Sequence, residues 1–304
     1  MRDVRAKPFL KWAGGKNQLL GEFEKRIPAE LKEGKLSTFI EPFVGGGAVF
    51  FDFNSVFDFS KCHIFDINEE LFLAYTVVRD DVDSLVDHLG ELSSRYLSRN
   101  DTLRKEFFYQ IRDEFNQTKA EINLNRFESS WTNRVARLIF LNRTCFNGLF
   151  RVNSRGQFNV PFGRYKNPKI LNADLLIVDS EVLQNTEIHC GDFALSAPHI
   201  SDTSFVYFDP PYRPLNQTSS FTNYSKDGFN DDEQRRLARF FKECDRTGAR
   251  LMLSNSDPKN INPDDDFFDT LYAEYRIERV PAKRMINCDR TKRGEISEII
   301  VTNY

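Results

Sequence analysis

Cysteine is scarce in this sequence and long hydrophobic runs are missing. These two absences argue against a disulfide-rich, a zinc-binding or a membrane-spanning protein. The 304 residues include five cysteines, an odd number without the close pairs that zinc sites and disulfide frameworks need. We therefore expect reduced thiols, no metal and a cytoplasmic location. No apolar stretch reaches membrane length, and the start Met1-Arg2-Asp3-Val4-Arg5 is too polar to predict a signal peptide.

Neither sign of charge dominates. The net charge is −3 and the pI is about 5.9, which argues against indiscriminate binding to nucleic acid. Any contact with nucleic acid must then come from a local patch. The chain has no internal repeat, and its length and 40% hydrophobic content suffice for one large domain and an insert.

Two common nucleotide-binding motifs are also missing. Gly15-Lys16 is followed by Asn17, and Leu10 stands where a P-loop has its first glycine. The dinucleotide fingerprint needs a third glycine at position 50, which is Phe50. The sequence therefore gives no support to a P-loop, NAD or FAD.

A glycine turn is nevertheless present. Glu41-Pro42-Phe43-Val44-Gly45-Gly46-Gly47-Ala48 lies between apolar stretches at 38–40 and 49–53, which predicts strand, tight turn and helix. Glycine allows the backbone to approach a ligand closely. Asp66 ends a second strand-like run about 20 residues later, where an acid can bind ribose hydroxyls. Alternatively, Asp66 caps the helix predicted near Glu69.

The most informative feature is Asp209-Pro210-Pro211-Tyr212, directly after the apolar run 204–208. Proline restricts its own backbone and that of the preceding residue, so the oxygens of Asp209 and Pro210 should point in a fixed direction. They can hold an amino group whose heterocycle stacks on Tyr212, a contact worth roughly 1–3 kcal/mol per base. The alternative is that paired prolines simply end a strand.

An adenosine-binding turn combined with an amine-binding tetrapeptide suggests S-adenosylmethionine and methyl transfer. The sequence resembles, nearly end to end, the alpha-group DNA adenine-N6 methyltransferases of the Dam type. The resemblance rests on Phe9-Leu10-Lys11-Trp12-Ala13-Gly14-Gly15-Lys16, the turn 41–47, Asp66-Ile67-Asn68, Leu141-Asn142-Arg143, the segments 146–153 and 158–163, the tetrapeptide 209–212, and Glu298-Ile299-Ile300-Val301-Thr302-Asn303-Tyr304.

The resemblance implies S-adenosylmethionine as cofactor and direct transfer to N6 of adenine. It implies catalytic roles for Asp209, Pro210, Pro211 and Tyr212. It implies cofactor-binding roles for Trp12, Ala13, Gly14, Lys16, Glu41, Phe43, Gly45, Gly47, Asp66, Asp192, Phe193 and Asp209. Among these, Asp66 would bind the ribose and Asp192 the cofactor adenine, whereas Trp12 can also be explained as a core anchor.

The resemblance also implies double-stranded DNA with the sequence GATC, whose adenine must be flipped out of the helix. It assigns DNA contacts to Lys11, Arg143, Phe146, Asn147, Leu149, Arg151, Asn153 and Pro161. A stretch without Asp or Glu, 129–173, carries eight Arg and Lys residues and includes a predicted hairpin at 151–162. Arg151 would pair with guanine in the major groove, although a phosphate contact is the alternative.

Several other functions compete with adenine methylation. No cysteine follows a proline, as the nucleophile of a cytosine-C5 methyltransferase typically does. Cytosine-N4 methylation, another recognition sequence, an RNA substrate and a catalytically silent DNA-binding relative remain open. We expect a monomer, with or without a cognate restriction endonuclease.

The fold predicted from these patterns is α/β, a doubly wound and mostly parallel Rossmann-like methyltransferase sheet. Strands are expected around Thr38, Ile64, Ile188, Val206 and Met252. A target-recognition domain of helices and the hairpin is expected at 77–169, inserted between catalytic segments 1–76 and 170–304. A loop at 215–228 is expected to be either a plain surface loop or a lid over the flipped base.

Overall fold

The computed structural model describes residues 4–213, 229–283 and 295–304. Its strands are β1 (Thr38–Glu41), β2 (Lys61–Asp66), β3 (Thr186–Cys190), β4 (Ser204–Phe208), β5 (Arg250–Ser256), β6 (Arg276–Lys283) and β7 (Glu295–Thr302). Its α-helices are α1 (Leu20–Glu24), α2 (Ala29–Lys32), α3 (Ala48–Asn54), α4 (Glu69–Asp80), α5 (Val82–Leu97), α6 (Asp101–Gln117), α7 (Ser129–Thr144), α8 (Ala173–Leu183), α9 (Asp231–Asp245) and α10 (Phe267–Leu271).

The strands form a seven-stranded sheet in the order β3-β2-β1-β4-β5-β7-β6. β1 is parallel to β2 and β4, and β4 is parallel to β5. β7 runs antiparallel between β5 and β6. The predicted α/β fold with a mostly parallel sheet is confirmed, and the five predicted strands are present. The two C-terminal strands β6 and β7 were not predicted.

β4 lies at the centre of the sheet, and all five of its side chains are buried. Successive strand residues point to opposite faces, so the two faces pack separately. On one face Tyr207 contacts Phe23 of α1, with ring centroids 5.2 Å apart. On the other, Phe208 contacts Phe241 of α9 at 5.7 Å. This double covering is why β4 has the continuous apolar sequence of a buried parallel strand.

Helix α9 illustrates how sequence sets an element beside the site. Its N-cap Asn230 accepts hydrogen bonds from the backbone N–H groups of Asp232 and Glu233, and acidic residues fill the first turn. Its buried face, which includes Leu237 and Phe241, joins the core on the sheet. The start of α9 is thereby held against the end of β4.

The chain divides into two compact units, each described here by itself. Within the described residues, the first comprises 4–15, Gly45–Ser55 and Asp66–Cys190, and the second comprises Lys16–Val44, Val56–Phe65 and the remainder from Gly191 onwards. The predicted domain boundaries at 76/77 and 169/170 stay a prediction. In the part of the chain that the structure describes, no helix is long and apolar enough to cross a membrane.

Candidate active site and nucleic-acid interface

Asp209 directly follows β4, and Lys16 and β5 hold its carboxylate. The Lys16 ammonium lies 2.7 Å from Oδ1 of Asp209, and Lys16 is almost completely buried. The Ser254 hydroxyl donates to the same oxygen at 3.4 Å. None of the described residues donates a hydrogen bond to Oδ2. Burial raises the pKa of Asp209, although Lys16 and Ser254 oppose the shift.

Tyr212 and Pro211 at the other end of the tetrapeptide are also held. The Tyr212 hydroxyl donates to Oε2 of Glu298 on β7, and the Lys16 ammonium lies 4.5 Å from the centre of the Tyr212 ring. The side-chain amide of Gln234 on α9 donates to the carbonyl of Pro211 at 3.1 Å. The tetrapeptide is thus a fixed group of acceptors beside an aromatic ring, which suits a planar amine.

The glycine turn and Asp66 lie together in the first unit. Gly45 N–H donates to Oδ2 of Asp66 at 3.0 Å, and Asn68 N–H donates to Oδ1 at 2.8 Å. The N-cap of α4 is Asn68, which accepts from Glu70 N–H, so the alternative that Asp66 caps this helix is wrong. Desolvation raises the pKa of Asp66 to about 6, against the lowering effect of the two backbone bonds.

Glycine is required at Gly47 for steric reasons. Its φ is 75°, and a Cβ there would lie 2.6 Å from the hydroxyl of Tyr75. That hydroxyl donates to the Gly45 carbonyl at 2.9 Å, which fixes the turn. The predicted sequence of strand, glycine turn and helix is confirmed in β1, the turn and α3.

Trp12 packs beside the same turn. Its ring stacks on Phe150 with centroids 5.0 Å apart, and a Cβ at Gly46 would lie 3.0 Å from the Cβ of Trp12. Ala13 and Gly14 follow at exposed positions, with Gly14 at φ 83°. Trp12 therefore anchors this segment to the turn while staying partly exposed, which agrees with both explanations considered for it.

Asp192, Phe193, Phe43 and Glu41 lie in the second unit with the tetrapeptide. Asp192 accepts two hydrogen bonds from the Arg236 guanidinium, at 2.8 and 2.6 Å, and these bonds lower the pKa of Asp192. Phe43 lies 5.3 Å from Phe193, ring centre to ring centre, and Glu41 is buried at the end of β1. The ionised Asp192 carboxylate beside aromatic rings suits the amino group and ring of an adenine.

The predicted DNA-contacting residues all belong to the first unit. Asn142, which is buried on α7, donates to the carbonyls of Lys11 and Gly148 and accepts from Lys11 N–H, at 2.8–2.9 Å. These bonds bring Lys11 beside the turn that carries Phe146 and Asn147. Phe146 is 51% exposed, and Asn147 has φ 56°, an uncommon conformation for a residue other than glycine.

The predicted hairpin is present but short. Val152 and Phe158 form an antiparallel bridge, and Asn153 O accepts from Gly156 N–H across the turn. The exposed Arg151 donates through Nε to Oδ1 of Asn159 at 2.8 Å, which orients its guanidinium. Pro161, also exposed, accepts from Phe146 N–H, so the hairpin and the Phe146 turn are tied together.

Not every basic or predicted residue of this region is available to DNA. Arg134 is buried and bound to Glu70, and Arg137 pairs with Glu114. The expectation that the basic stretch 129–173 faces DNA is therefore wrong for Arg134, whereas Arg137 stays partly exposed. Arg143 is half-buried and donates to the Phe9 carbonyl, and Leu149 is partly exposed. The basic residues of the stretch that remain exposed are Arg151, Arg155, Arg164, Lys166 and Lys169.

The sequence did not predict a role for four residues that contact the tetrapeptide or Asp192: Ser254, Gln234, Arg236 and Glu298. The site residues that they bind lie 23 or more positions away in the chain. Glu298 and Asn142 stand inside matched motifs, but a motif alone does not identify the partner of a side chain. Their contacts follow from the sheet order and from the helix positions.

The mostly parallel α/β sheet is consistent with the Rossmann-like fold of the methyltransferases. The chain belongs to the D12 class N6 adenine-specific DNA methyltransferases, whose family description matches residues 12–286. It is therefore an adenine-specific DNA methyltransferase that takes its methyl group from S-adenosylmethionine.

Three relatives illustrate the match along the chain. It is 51% identical to the type II methyltransferase M.MjaIII of Methanocaldococcus jannaschii, over 99% of this chain and 100% of the relative. It is 39% identical to the type II methyltransferase M1.LlaDCHI of Lactococcus lactis subsp. cremoris, over 99% and 96%. It is 33% identical to the DNA adenine methylase of Escherichia coli K12, over 99% and 95%.

Proposed function

We propose that this enzyme methylates N6 of the adenine in duplex GATC, after flipping that base, by direct transfer without a covalent enzyme intermediate. One observation carries the chemistry. Lys16 and Ser254 hold Oδ1 of Asp209, and no described residue bonds to Oδ2. Oδ2 is then the acceptor for the target amine.

The chemistry requires two acceptors because the N6 lone pair of adenine is delocalised into the ring. Oδ2 of Asp209 and the carbonyl of Pro210 accept the two N6 hydrogens, which shifts the lone pair toward the methyl donor. Tyr212 stacks on the base. A base held in this way gains rate by positioning, and Asp209 accepts the released proton.

S-adenosylmethionine supplies a methyl group on a positively charged sulfur. We assign its binding to Trp12, Ala13, Gly14, Lys16, Glu41, Phe43, Gly45, Gly47, Asp66, Asp192, Phe193 and Asp209. The carboxylates among these residues fit the hydroxyl and amino groups of S-adenosylmethionine. Asp66 is a half-buried carboxylate for ribose hydroxyls, and Asp192 is an ionised acceptor for an amino group beside aromatic rings.

DNA recognition is assigned to the exposed surface of the first unit. Phe146 is large, apolar and 51% exposed, as expected for a side chain that fills the space left by a flipped base. Arg151 presents an oriented guanidinium on the hairpin, and such a group pairs with O6 and N7 of guanine. Lys11, Arg143, Asn147, Leu149, Asn153 and Pro161 complete the proposed contacts.

We keep 77–169 as the proposed target-recognition domain and 1–76 with 170–304 as the proposed catalytic domain. The loop predicted at 215–228 lies outside the described residues. We further propose a cytoplasmic monomer that acts on double-stranded DNA, with or without a cognate restriction endonuclease. The names of two relatives as type II methyltransferases are compatible with such a partner.

The test is transfer of labelled methyl from S-adenosylmethionine to two short duplexes, one with a single GATC and one with its guanine replaced. Asp209→Ala is the blank. We expect labelled N6-methyladenine in the first duplex alone. Equal labelling of both duplexes would contradict GATC as the recognition sequence. Labelled N4-methylcytosine would contradict adenine as the target base. No labelling above the blank would favour a silent DNA-binding relative.

A further inference from the structure

Glu298 lies on β7 and touches the tetrapeptide, although nothing in the sequence gave it a role. We propose that Glu298 is a positioning residue that holds the Tyr212 ring in place for the target base. This inference rests on the proposed role of Asp209–Tyr212 in holding the amine. Its basis is the hydrogen bond from the Tyr212 hydroxyl to Oε2 of Glu298.

The Tyr212 ring is held at its edge and at its face. The hydroxyl bond to Glu298 fixes the far end of the side chain and so prevents rotation about Cα–Cβ. The Lys16 ammonium, 4.5 Å from the ring centre, occupies one face and opposes rotation of the ring about Cβ–Cγ. A base that stacks on Tyr212 must therefore use the opposite face, at a position set by the bond to Glu298.

The backbone that carries Glu298 is rigid. Glu298 is paired with Ser256 of β5 on one side and with Val280 of β6 on the other. A side chain on a strand with two neighbours is placed more accurately than one on a loop. Because Glu298 is fixed in the sheet, its hydrogen bond holds the Tyr212 side chain in a fixed position.

The same lysine connects Glu298 to the reacting group. Burial raises the pKa of Glu298, the Lys16 charge and the Tyr212 bond lower it, and the Asp209 charge raises it. One cation thus lies among two carboxyl groups and a ring. A purely electrostatic role, in which Glu298 only balances Lys16, is the competing explanation.

Two replacements separate the explanations. Glu298→Gln keeps a hydrogen-bond acceptor and removes the charge, whereas Glu298→Leu removes both. Tyr212→Phe removes the same bond from the other side and leaves Glu298 intact. Glu278→Leu is the matched control. Glu278 is a glutamate on the adjacent strand β6 that forms ion pairs with Arg26 and Arg276.

The experiment measures single-turnover methyl transfer to a GATC duplex, and base flipping by fluorescence with 2-aminopurine at the target adenine. S-adenosylhomocysteine affinity is measured alongside. We expect Glu298→Leu and Tyr212→Phe each to lower the transfer rate about tenfold or more, as for loss of a charge-assisted bond. The double variant should be no slower than either single variant. Glu298→Gln should keep most of the wild-type rate and the wild-type fluorescence change. Glu278→Leu should transfer methyl at the wild-type rate. The affinity for S-adenosylhomocysteine should be unchanged in all the Glu298 and Glu278 variants.

Three results would overturn the inference: a wild-type rate for Glu298→Leu, additive losses in the double variant, or Glu298→Gln as slow as Glu298→Leu. Asp209→Ala in the same assay separates this failure from failure of the proposed function. If Asp209→Ala is inactive and the Glu298 variants are normal, only the role of Glu298 is lost. If Asp209→Ala keeps wild-type activity, both are lost.

Discussion

The ammonium of Lys16 lies 2.7 Å from Oδ1 of Asp209 and is almost completely buried. A buried carboxyl group alone would hold its proton well into the neutral range, and then it would be a poor acceptor for an amine. Lys16 counteracts this effect of burial. The lysine before the first helix thereby supports the acceptor at the end of the central strand.

Replacement of Lys16 by methionine should move the acidic limb of the rate profile to higher pH. Burial raises the pKa of Asp209 and Lys16 lowers it, so loss of the lysine raises this pKa further. Ionised Asp209 is then present only at higher pH, so the acidic limb moves upward. Single-turnover rates from pH 5 to 9 at saturating cofactor check this prediction. Lys25→Met, at an exposed lysine paired with Glu22, is the control, and an unmoved limb would contradict the role of Lys16.

Cofactor affinity should depend on pH through Asp66. Its pKa is raised to about 6, so the protein binds a proton there below that pH and loses an anionic acceptor for the ribose. The affinity for S-adenosylhomocysteine should therefore rise as pH increases through 6. Calorimetric titration from pH 5 to 8 measures it. Asp66→Asn should bind weakly with no such dependence, whereas the exposed Asp58→Asn should retain it; a pH-dependent Asp66→Asn would count against the assignment.

Arg151 should discriminate guanine, and Arg155 should not. A bidentate pair contributes about 1–3 kcal/mol of discrimination, so 7-deazaguanine, which lacks N7, should lower kcat/KM for the wild type. Arg151→Ala should show no further loss on that duplex. Arg155→Ala, in the turn of the same hairpin, should weaken both duplexes equally and reduce the salt dependence. Equal sensitivity of wild type and Arg151→Ala to 7-deazaguanine would make Arg151 a phosphate contact.

The buried pair of Arg134 and Glu70 should be important for stability. Arg134 donates to Glu70 and to the Phe115 carbonyl, so Arg134→Met leaves both without their donor. We expect a loss of about 3–5 kcal/mol in the free energy of unfolding, measured in urea. The double variant with Glu70→Leu should regain much of it, because no buried charge then remains.

A matched comparison for this prediction is Arg137→Met. Arg137 pairs with Glu114 at a partly exposed position, where loss of an ion pair costs about 1 kcal/mol or less. An Arg134→Met variant that is no less stable than Arg137→Met would contradict the importance of the buried pair.

The parts of the fold that follow from local sequence could be predicted. β4 is a buried apolar run, the glycine turn needs positive φ at Gly47, and prolines fix Pro210 and Pro211, so strand, turn and tetrapeptide were all foreseen. β6 was missed because charged residues such as Arg276, Glu278 and Arg279 obscure its pattern. β7 was missed as a strand although its residues lay in a matched motif.

Contacts between distant residues could not be predicted in the same way. Because Arg134 is one of the basic residues of the stretch 129–173, its charge suggested a contact with DNA. In the fold its side chain points from α7 to Glu70 of α4. The bond between Tyr212 and Glu298 depends on β7 lying beside β5, an order that chain sequence alone does not give. Side-chain partners of this kind require the packing of the whole fold.

The most direct test of the central claim, that Oδ2 of Asp209 accepts the target amine, is the single-turnover rate of Asp209→Asn on a GATC duplex. The replacement keeps the shape of the side chain and removes the negative charge. We predict a loss of methyl transfer of about 100-fold or more, measured with cofactor and duplex both saturating so that weaker binding of either does not limit the rate. A wild-type rate of N6-methyladenine formation by Asp209→Asn would contradict the account.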